Sequence, residues 1–293
     1  MKIAVYSKIF KQQDKACIQE LFDVLHEEKL EVTVHNLYFN QLKNHIDFQS
    51  NPDLYEKYED LVIQEPDILL SVGGDGTMLG ATTLVRDSDI PILGLNLGRL
   101  GFLASLESKY LRQSVKQLKR GMYSLENRTL LHLESSVALF NGLTFALNDC
   151  TIIKRDTSAM IRIKTYINGS FLNSYWADGL IISTPTGSTG YSLSCGGPII
   201  FPDSGNFVIT PVAPHNLNVR PIVISDNSVI SFEVEGRADT FLLTLDSRFE
   251  SITAQHQFAV RKCDFCIKTV TLNDNGFMQT IREKLDWGKD ARN

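Results

Sequence analysis

The sequence lacks long apolar runs and an excess of positive charge. No apolar stretch in its 293 residues approaches the ~20 residues that a membrane-spanning helix needs. Lys and Arg number 29 against 34 Asp and Glu, which gives a net charge of −5. Such a chain has no overall attraction to nucleic acid or to an anionic membrane surface. We therefore expect neither among its partners.

Cysteine is also scarce, with five residues at positions 17, 150, 195, 263 and 266. The start, MKIAVYSKIF, is too short and too interrupted for a signal peptide and is better explained as a first strand. An odd, scattered set of thiols then favours a reducing, cytoplasmic setting. CDFC at 263–266 has zinc or redox spacing but lacks a second Cys or His pair at a useful distance. We predict two ordinary thiols on a strand, and no metal site made of protein side chains.

The usual nucleotide-binding loops are missing as well. No G-x-x-x-x-G-K-[ST] segment is present, so there is no P-loop lysine. GGDGTMLG at 73–80 is a near miss for the dinucleotide fingerprint, whose acidic residue should follow ~20 residues later rather than lie inside the turn. Hydride transfer is therefore disfavoured, whereas binding of a phosphate group stays open.

A carboxylate inside a glycine-rich turn is the first positive feature. In SVGGDGTM (71–78), Asp75 follows an apolar predicted strand and precedes a predicted helix. Ligands of open parallel sheets bind at such strand ends, and Gly73, Gly74 and Gly76 allow a ligand to approach the backbone closely. The alternative is an aspartate that only stabilises the turn or the helix N-terminus.

The first part of the chain alternates strands and helices. KIAVYS, LEVTVHNL, DILLSVGG and IPILGLNL are predicted strands, and residues 14–29 and 107–120 are predicted helices. Nearly continuous apolar strands separated by helices predict a parallel sheet that is covered on both faces. Residues 39–62 interrupt this pattern. They are predicted to form a surface excursion, either a plain insertion or a mobile lid.

After residue 127 the pattern becomes mainly antiparallel β. Asn-Gly pairs at 141–142 and 168–169 lie between strand-like segments and predict two hairpins. ISFEVEG and TFLLTLD continue the strand pattern, and the end of the chain looks helical. We predict an α/β domain at 1–127, a β-rich domain at 128–275 and a tail at 276–293 that packs on the first domain.

A second glycine-rich element, ADGLIISTPTGSTGYSLSCGGPI, covers residues 177–199. Pro185, Gly187 and Gly190 break a strand, and Tyr191 lies among many hydroxyl side chains. This composition suits a phosphorylated ligand with an aromatic ring. A flexible Ser/Gly linker is the alternative, but apolar strand-like segments bound the loop on both sides, and a linker would be more polar.

Together, these segments resemble the NAD kinase family, in its bacterial type. The resemblance rests on GGDGT at 73–77, Asn148-Asp149 and DGLIISTPTGSTGYSLSCGGPI at 178–199, supported by LGRLGFL and APHNLNVRP (213–221). It covers nearly the whole chain in the right order. GGDG alone also occurs in diacylglycerol kinases and 6-phosphofructokinases, whereas the TPTGST element is highly specific. The resemblance implies a Rossmann-like parallel α/β domain, a β-rich domain and a returning C-terminal tail.

The resemblance also implies an activity. The γ-phosphoryl of ATP would pass to the 2′-hydroxyl of the adenosine ribose of NAD, giving NADP, with Asp75 as general base. A divalent cation, Mg²⁺, would be held largely by phosphate oxygens and water, and the protein would be a homodimer or homotetramer. The implied substrate-binding residues are Gly74, Asp75, Gly76, Asn148, Asp149, Asp178, Thr189, Gly190, Tyr191, Ser192, Leu193, Ser194, Ala213, His215 and Arg248.

Two departures and several alternatives accompany this prediction. The family usually has Asn-Glu where this chain has Asn148-Asp149, and Ala where it has Gly190. His215 is either a ligand contact or structural, and Arg248 either meets phosphate or is a solvated hairpin residue. Trp176 is either an apolar wall of the site or a core or interface residue. The rival functions are a related kinase for a lipid or a sugar phosphate and a dinucleotide-sensing regulator without turnover.

Overall fold

The structure is a computed structural model that describes residues 1–98, 101–104, 106–155, 159–272 and 277–287. Its strands are β1 Lys2–Tyr6, β2 Glu31–His35, β3 Asp53–Tyr55, β4 Ile68–Val72, β5 Ile92–Asn96, β6 Leu106–Glu107, β7 Ser124–Ser135, β8 Phe145–Ala146, β9 Asp149–Lys154, β10 Ile161–Ile167, β11 Ser170–Ala177, β12 Gly179–Ser183, β13 Asn206–Val212, β14 Ile222–Ser225, β15 Ile230–Glu235, β16 Phe241–Leu245, β17 Arg248–Ile252 and β18 Phe258–Thr271. Its α-helices are α1 Lys15–Glu27, α2 Asn36–Leu42, α3 Tyr58–Ile63, α4 Asp75–Val85, α5 Leu111–Lys119, α6 Tyr191–Ser194 and α7 Phe277–Leu285. No helix in these ranges is long and apolar enough to cross a membrane.

Two compact units divide the chain. The first consists of Met1–Asn127 with Ile267–Asn293, and the second of Arg128–Cys266. The chain passes from the first unit to the second within β7 and returns within β18. Helix α7 belongs to the first unit, where Ile281 is 3% exposed.

A parallel sheet organises the first unit, in the strand order β5-β4-β1-β2-β3. All residues of β4 and β5 are buried, which explains their nearly continuous apolar sequences. The chain runs from β1 outward to β2 and β3, then crosses back to β4 on the other side of β1. The prediction of a parallel α/β sheet is confirmed, and β1 and β4 flank the position where the strand order reverses.

The predicted surface excursion at 39–62 is wrong in part. The segment contains β3, which pairs in parallel with β2, and Tyr55 at its end is buried and donates its hydroxyl proton to the Val5 carbonyl. The segment therefore extends the sheet. A strand of three residues with one buried position is too short to produce a visible alternation.

The second unit is antiparallel, as predicted. One sheet has the order β14-β13-β12-β9-β16-β17, and β11, β10, β15 and β18 pair in that order in another. Buried residues of both groups, such as Leu180, Phe207, Ile163 and Phe232, form one hydrophobic core. This packing of two sheets buries alternate residues of β10, β15 and β16, whereas β12 is buried at every position.

The two Asn-Gly pairs have different outcomes. Asn168 and Gly169, with φ of 50° and 79°, join β10 directly to β11, so this predicted hairpin is confirmed. Asn141-Gly142 lies in a short 3-10 turn, Phe140–Gly142, within a longer connection at 136–144. That connection joins β7 to β8, which pair antiparallel, so a two-residue turn is wrong there.

Candidate active site

The glycine turn after β4 places Asp75 at the carboxyl edge of the parallel sheet. Gly73 has φ of 148°, and a Cβ there would lie 2.4 Å from Thr77 Oγ1, so only glycine fits. Gly74 precedes α4, and its carbonyl accepts the amides of Thr77 and Met78. Asp75 is therefore the first residue of α4, half-buried, at the edge where ligands of such sheets bind.

The carboxylate of Asp75 accepts three main-chain amides from a segment far along the chain. Its Oδ2 accepts Phe102 N–H at 2.9 Å, and its Oδ1 accepts Leu103 N–H and Ala104 N–H, each at 3.1 Å. These donors are not those of its own helical turn. The structure therefore does not support the alternative in which Asp75 only caps its own helix.

The second glycine-rich element packs directly on the chain at Asn148. The Thr184 amide donates to the Asn148 carbonyl at 2.9 Å, and the Thr184 hydroxyl donates to the Leu147 carbonyl at 2.6 Å. A Cβ on Gly187 would lie 2.1 Å from the Asn148 carbonyl oxygen. Glycine at 187 is therefore needed to bring this loop and Asn148 together.

Most hydroxyls of this loop are used within the loop and its supporting strands. Ser192 is buried, and its hydroxyl lies 2.8 Å from that of Thr210. Ser188 donates to the Pro185 carbonyl at 2.6 Å and accepts the Ile200 amide at 3.0 Å. Thr189 donates to the Thr186 carbonyl at 3.1 Å. These bonds make the loop a fixed structure rather than a linker.

Two buried polar atoms beside this loop have no hydrogen-bond partner among the described residues. They are Asn148 Oδ1 and Thr186 Oγ1. A Cβ on Gly190 would lie 3.7 Å from Asn148 Nδ2, so the loop and the amide side chain are neighbours. Buried polar atoms are almost always paired, so these two favour a ligand that supplies the missing partners. Tyr191 lies in the same loop, with 40% of its surface exposed.

Two carboxylates lie at the segment around Asn148, on which this loop packs. Asp149 is 8% exposed and accepts the Thr151 hydroxyl at 2.9 Å. Burial, and next the charge of Asp246, raise the pKa of Asp149 to about 7. Asp246 accepts the amides of Leu147 at 2.9 Å, Asn148 at 2.7 Å and Asp149 at 3.3 Å. Burial also raises the pKa of Asp246. Through its three hydrogen bonds, Asp246 fixes the main chain of the Asn148-Asp149 pair.

Asp178 and His215 occupy different settings in the second unit. Asp178 Oδ1 lies 2.6 Å from Lys154 Nζ.

His215 is exposed, and its amide donates to the Trp176 carbonyl at 2.8 Å. His215 and the half-exposed Trp176 line a cavity of about 620 Å³ formed by residues 173–176 and 214–219. Trp176 is therefore not a core residue. Ala213, before this stretch, has the unusual φ of 44°.

Arg248 is not a solvated hairpin residue. Its guanidinium donates to the main-chain carbonyls of Leu143 and Phe145 and lies 5.7 Å from the ring centroids of Phe140 and Phe145. Burial lowers the pKa of Arg248. Its hydrogen bonds therefore hold the connection between β7 and β8.

Within the described ranges, no group of three or more His, Cys, Asp or Glu side chains is placed to hold a metal ion. Cys263 is buried and Cys266 is half-buried, and both are free thiols.

Comparison with known proteins shows the family of this chain. Residues 4–123 match the ATP-NAD kinase N-terminal domain, and residues 147–272 match the ATP-NAD kinase C-terminal domain. The chain belongs to the ATP-NAD kinase family. NAD kinases of Cytophaga hutchinsonii and Flavobacterium psychrophilum are 45% and 44% identical to it over 297 and 295 residues, and each alignment covers 100% of both chains.

Solved ATP-NAD kinase-like structures share the fold. Yeast NADH kinase, solved in complex with NADH, superimposes with a TM-score of 0.87 at 24% identity and covers 99% of this chain and 89% of its own. An NAD kinase from Archaeoglobus fulgidus, solved in complex with ATP, has a TM-score of 0.74 at 23% identity and covers 98% and 100%. The predicted fold class, with its α/β and β-rich parts, is confirmed.

Three features of the site are visible only in the structure. Thr186 lies in the TPTGST element, but only the structure distinguishes its unpartnered hydroxyl from the satisfied ones. Asp246 lies about a hundred residues from the amides that it accepts, and Gly101 lies against the Asp75 carboxylate. Gly101 lies within the LGRLGFL segment, but the local sequence shows the role of neither Gly101 nor Asp246, because both roles arise from contacts between distant segments.

Proposed function

We propose that this protein transfers the γ-phosphoryl group of ATP to the 2′-hydroxyl of the adenosine ribose of NAD, giving NADP and ADP. The observation that carries the proposal is the half-buried carboxylate of Asp75 between two glycines that leave open space beside it. Among the residues that the structure describes, a Cβ on Gly74 or on Gly76 would meet nothing within 4 Å. Membership of the ATP-NAD kinase family across both domains supports the assignment.

In this proposal Asp75 is the general base. The ribose O2′–P bond forms as the bond from the γ-phosphorus to the ADP oxygen breaks, and the hydroxyl proton passes to the Asp75 carboxylate. The acceptor alcohol has a high pKa, so the proton leaves late, as the new bond forms. A positioned base contributes about 10²–10⁴ in rate. The positive end of the α4 dipole favours the phosphate charge at the same turn.

We propose that the β-rich unit holds NAD. Its unpartnered buried atoms, Asn148 Oδ1 and Thr186 Oγ1, support this assignment because a dinucleotide carries the amide, hydroxyl and phosphate groups that would satisfy them. In the proposal, direct contacts come from Asn148, Asp149, Asp178, Thr189, Gly190, Tyr191, Leu193, Ser194, Ala213 and His215. Ser192 contributes through its main chain, since its hydroxyl is paired with Thr210, and Arg248 contributes through the connection that it holds.

The proposal includes a divalent cation, Mg²⁺, held by triphosphate oxygens and water. When bound, it neutralises charge on the triphosphate. We further propose a homodimer or homotetramer in the cytoplasm. Supporting observations are the edge strand β11, which has no charged residue and exposes Phe171 and Trp176, and five free thiols.

The test is a comparison of phosphoryl acceptors with the purified protein, ATP and Mg²⁺. NAD, diacylglycerol in vesicles and fructose 6-phosphate are offered separately, and ADP and NADP are quantified. We expect ADP and NADP in equal amounts with NAD, and background ADP with the other two. ADP formation only with the lipid or the sugar phosphate would contradict the proposal, as would binding of NAD without turnover. Repeating the NAD reaction with polyphosphate defines the donor.

A further inference from the structure

The hydrogen bonds to Asp75 leave its two carboxylate oxygens unequal. An ionised carboxylate offers about four acceptor positions, two on each oxygen. Oδ1 accepts two amides, Leu103 and Ala104, whereas Oδ2 accepts only that of Phe102. As far as the described residues are concerned, Oδ1 is saturated and Oδ2 keeps one acceptor position.

Gly101 lets the segment 101–104 approach the carboxylate this closely. It is buried, and a Cβ at Gly101 would lie 1.8 Å from Asp75 Oδ1 and 2.5 Å from Asp75 Cγ. Neither distance is compatible with a carbon atom at that position. A side chain at 101 would therefore move the carboxylate, the segment or both.

The segment is fixed on both sides by other parts of the first unit. Ala104 is fully buried, and its Cα lies 2.6 Å from where a Cβ on Gly94 of β5 would be, so it packs against the strand itself. The Phe102 ring centroid lies 6.5 Å from that of Phe277 and 5.8 Å from Lys284 Nζ. Strand β5 and helix α7 therefore determine where the three amides point.

From this geometry we propose that Gly101 and the main-chain amides of residues 102–104 are positioning groups that orient Asp75 so that Oδ2 receives the proton. This inference rests on the proposed function, in which Asp75 is the base. Two charge-stabilising bonds on Oδ1 fix the rotation of the carboxylate, and the free position on Oδ2 faces the reacting hydroxyl.

A double-mutant cycle tests the inference with NAD, ATP and Mg²⁺. Because a displacement of about 1 Å can cost about 100-fold, we expect Gly101→Ala to lower kcat about 100-fold and to change the KM for NAD less than about threefold. In the Asp75→Asn protein, the same Gly101→Ala change should alter the residual single-turnover rate less than about threefold. An equal loss in both backgrounds, or an unchanged kcat of Gly101→Ala alone, would overturn the inference.

Gly98→Ala is the matched control, because among the described residues the nearest atom to a Cβ there is Asn96 Oδ1 at 4.0 Å. We expect its kcat to match the wild type. Should Gly101→Ala not fold, amide hydrogen exchange of Asp75→Ala decides. The amides of Phe102, Leu103 and Ala104 should exchange at least about tenfold faster than in the wild type, with those of β5 unchanged, and equal exchange would refute the inference.

If Asp75→Asn keeps full activity, the proposed base itself is wrong. If Asp75→Asn is inactive while Gly101→Ala is not, only the positioning inference is wrong.

Discussion

At the scale of single residues, the empty space around Gly74 and Gly76 bears directly on function. Both positions can take a methyl group, since a Cβ there meets nothing within 4 Å in the part of the chain that the structure describes. If the ribose and the triphosphate occupy that space, a methyl group obstructs them and not the fold. Substitutions at these two glycines should therefore change activity without changing stability.

We predict that Gly74→Ala and Gly76→Ala each lower kcat/KM for NAD or ATP at least about tenfold with little change in the thermal midpoint. Gly76→Ala should be as stable as the wild type or slightly more so, because alanine is a better helix residue by about 1 kcal/mol. Steady-state kinetics and thermal unfolding check both expectations. Gly205→Ala is the control, since a Cβ there lies 3.6 Å from Asp226 Oδ1, an ordinary contact. Wild-type kinetics in both variants would show that no ligand occupies this space.

The buried acid Asp149 makes stability depend on pH. Its pKa is raised from 3.8 to about 7, so between about pH 4 and pH 7 the folded state holds a proton that the unfolded state has lost. The contribution of Asp149 to folding stability therefore becomes less favourable as pH rises through this window. Each unit of pKa shift corresponds to about 1.4 kcal/mol.

Asp149→Asn removes this titration. We predict that the stability of Asp149→Asn relative to the wild type increases from pH 4.5 to pH 8 by at least ~1 kcal/mol. Urea unfolding at the two pH values measures it, and the exposed Asp203→Asn serves as the control. A stability difference that is the same at both pH values would show that Asp149 is not held in its protonated form.

At the residue scale, the sequence predicts Asp75 as the base but does not predict what holds its carboxylate. Asp75 stands out because glycines flank it at the end of an apolar strand. Its hydrogen-bond donors at 102–104 are invisible in the sequence, because any residue except proline offers the same main-chain amide. The same reasoning applies to Asp246 and the amides of residues 147–149.

At the scale of elements, the quality of prediction follows the strength of the local signal. Helix α1 buries Ile18, Leu21, Phe22 and Leu25, which have the i, i+3, i+4, i+7 spacing that predicts an amphipathic helix. Asn168-Gly169 forms the predicted turn because two full strands adjoin it. The pair at 141–142 adjoins the two-residue strand β8, so nothing local forces a tight turn there.

The turn at Asn168-Gly169 gives a prediction at this scale. Gly169 has φ of 79°, a conformation that costs an L-residue about 1–2 kcal/mol. We expect Gly169→Ala to lower the free energy of unfolding by about that amount, and Gly169→Asn by less, because asparagine tolerates this region better. Urea unfolding of the three proteins measures the order. Equal stability of Gly169→Ala and the wild type would contradict a strained position at 169.

At the scale of the whole molecule, composition and periodicity indicated a parallel α/β part followed by a β-rich part, and specific loops indicated the family. The pairing of β3 with β2 could not be predicted from the sequence, because so short a strand has no periodicity. The order of the strands also escaped it, since pairing between distant segments depends on packing across the whole unit rather than on local pattern. Function was predictable because the glycine-rich loops are continuous in sequence.

The central claim is that Asp75 is the base in phosphoryl transfer from ATP to NAD. The most direct measurement is the single-turnover rate of NADP formation by the wild type and by Asp75→Asn, with saturating NAD, ATP and Mg²⁺, alongside the Kd of each protein for NAD. We predict a rate at least about 100-fold lower in Asp75→Asn and a Kd within about threefold of the wild type. NADP formation by Asp75→Asn at the wild-type rate would contradict the account.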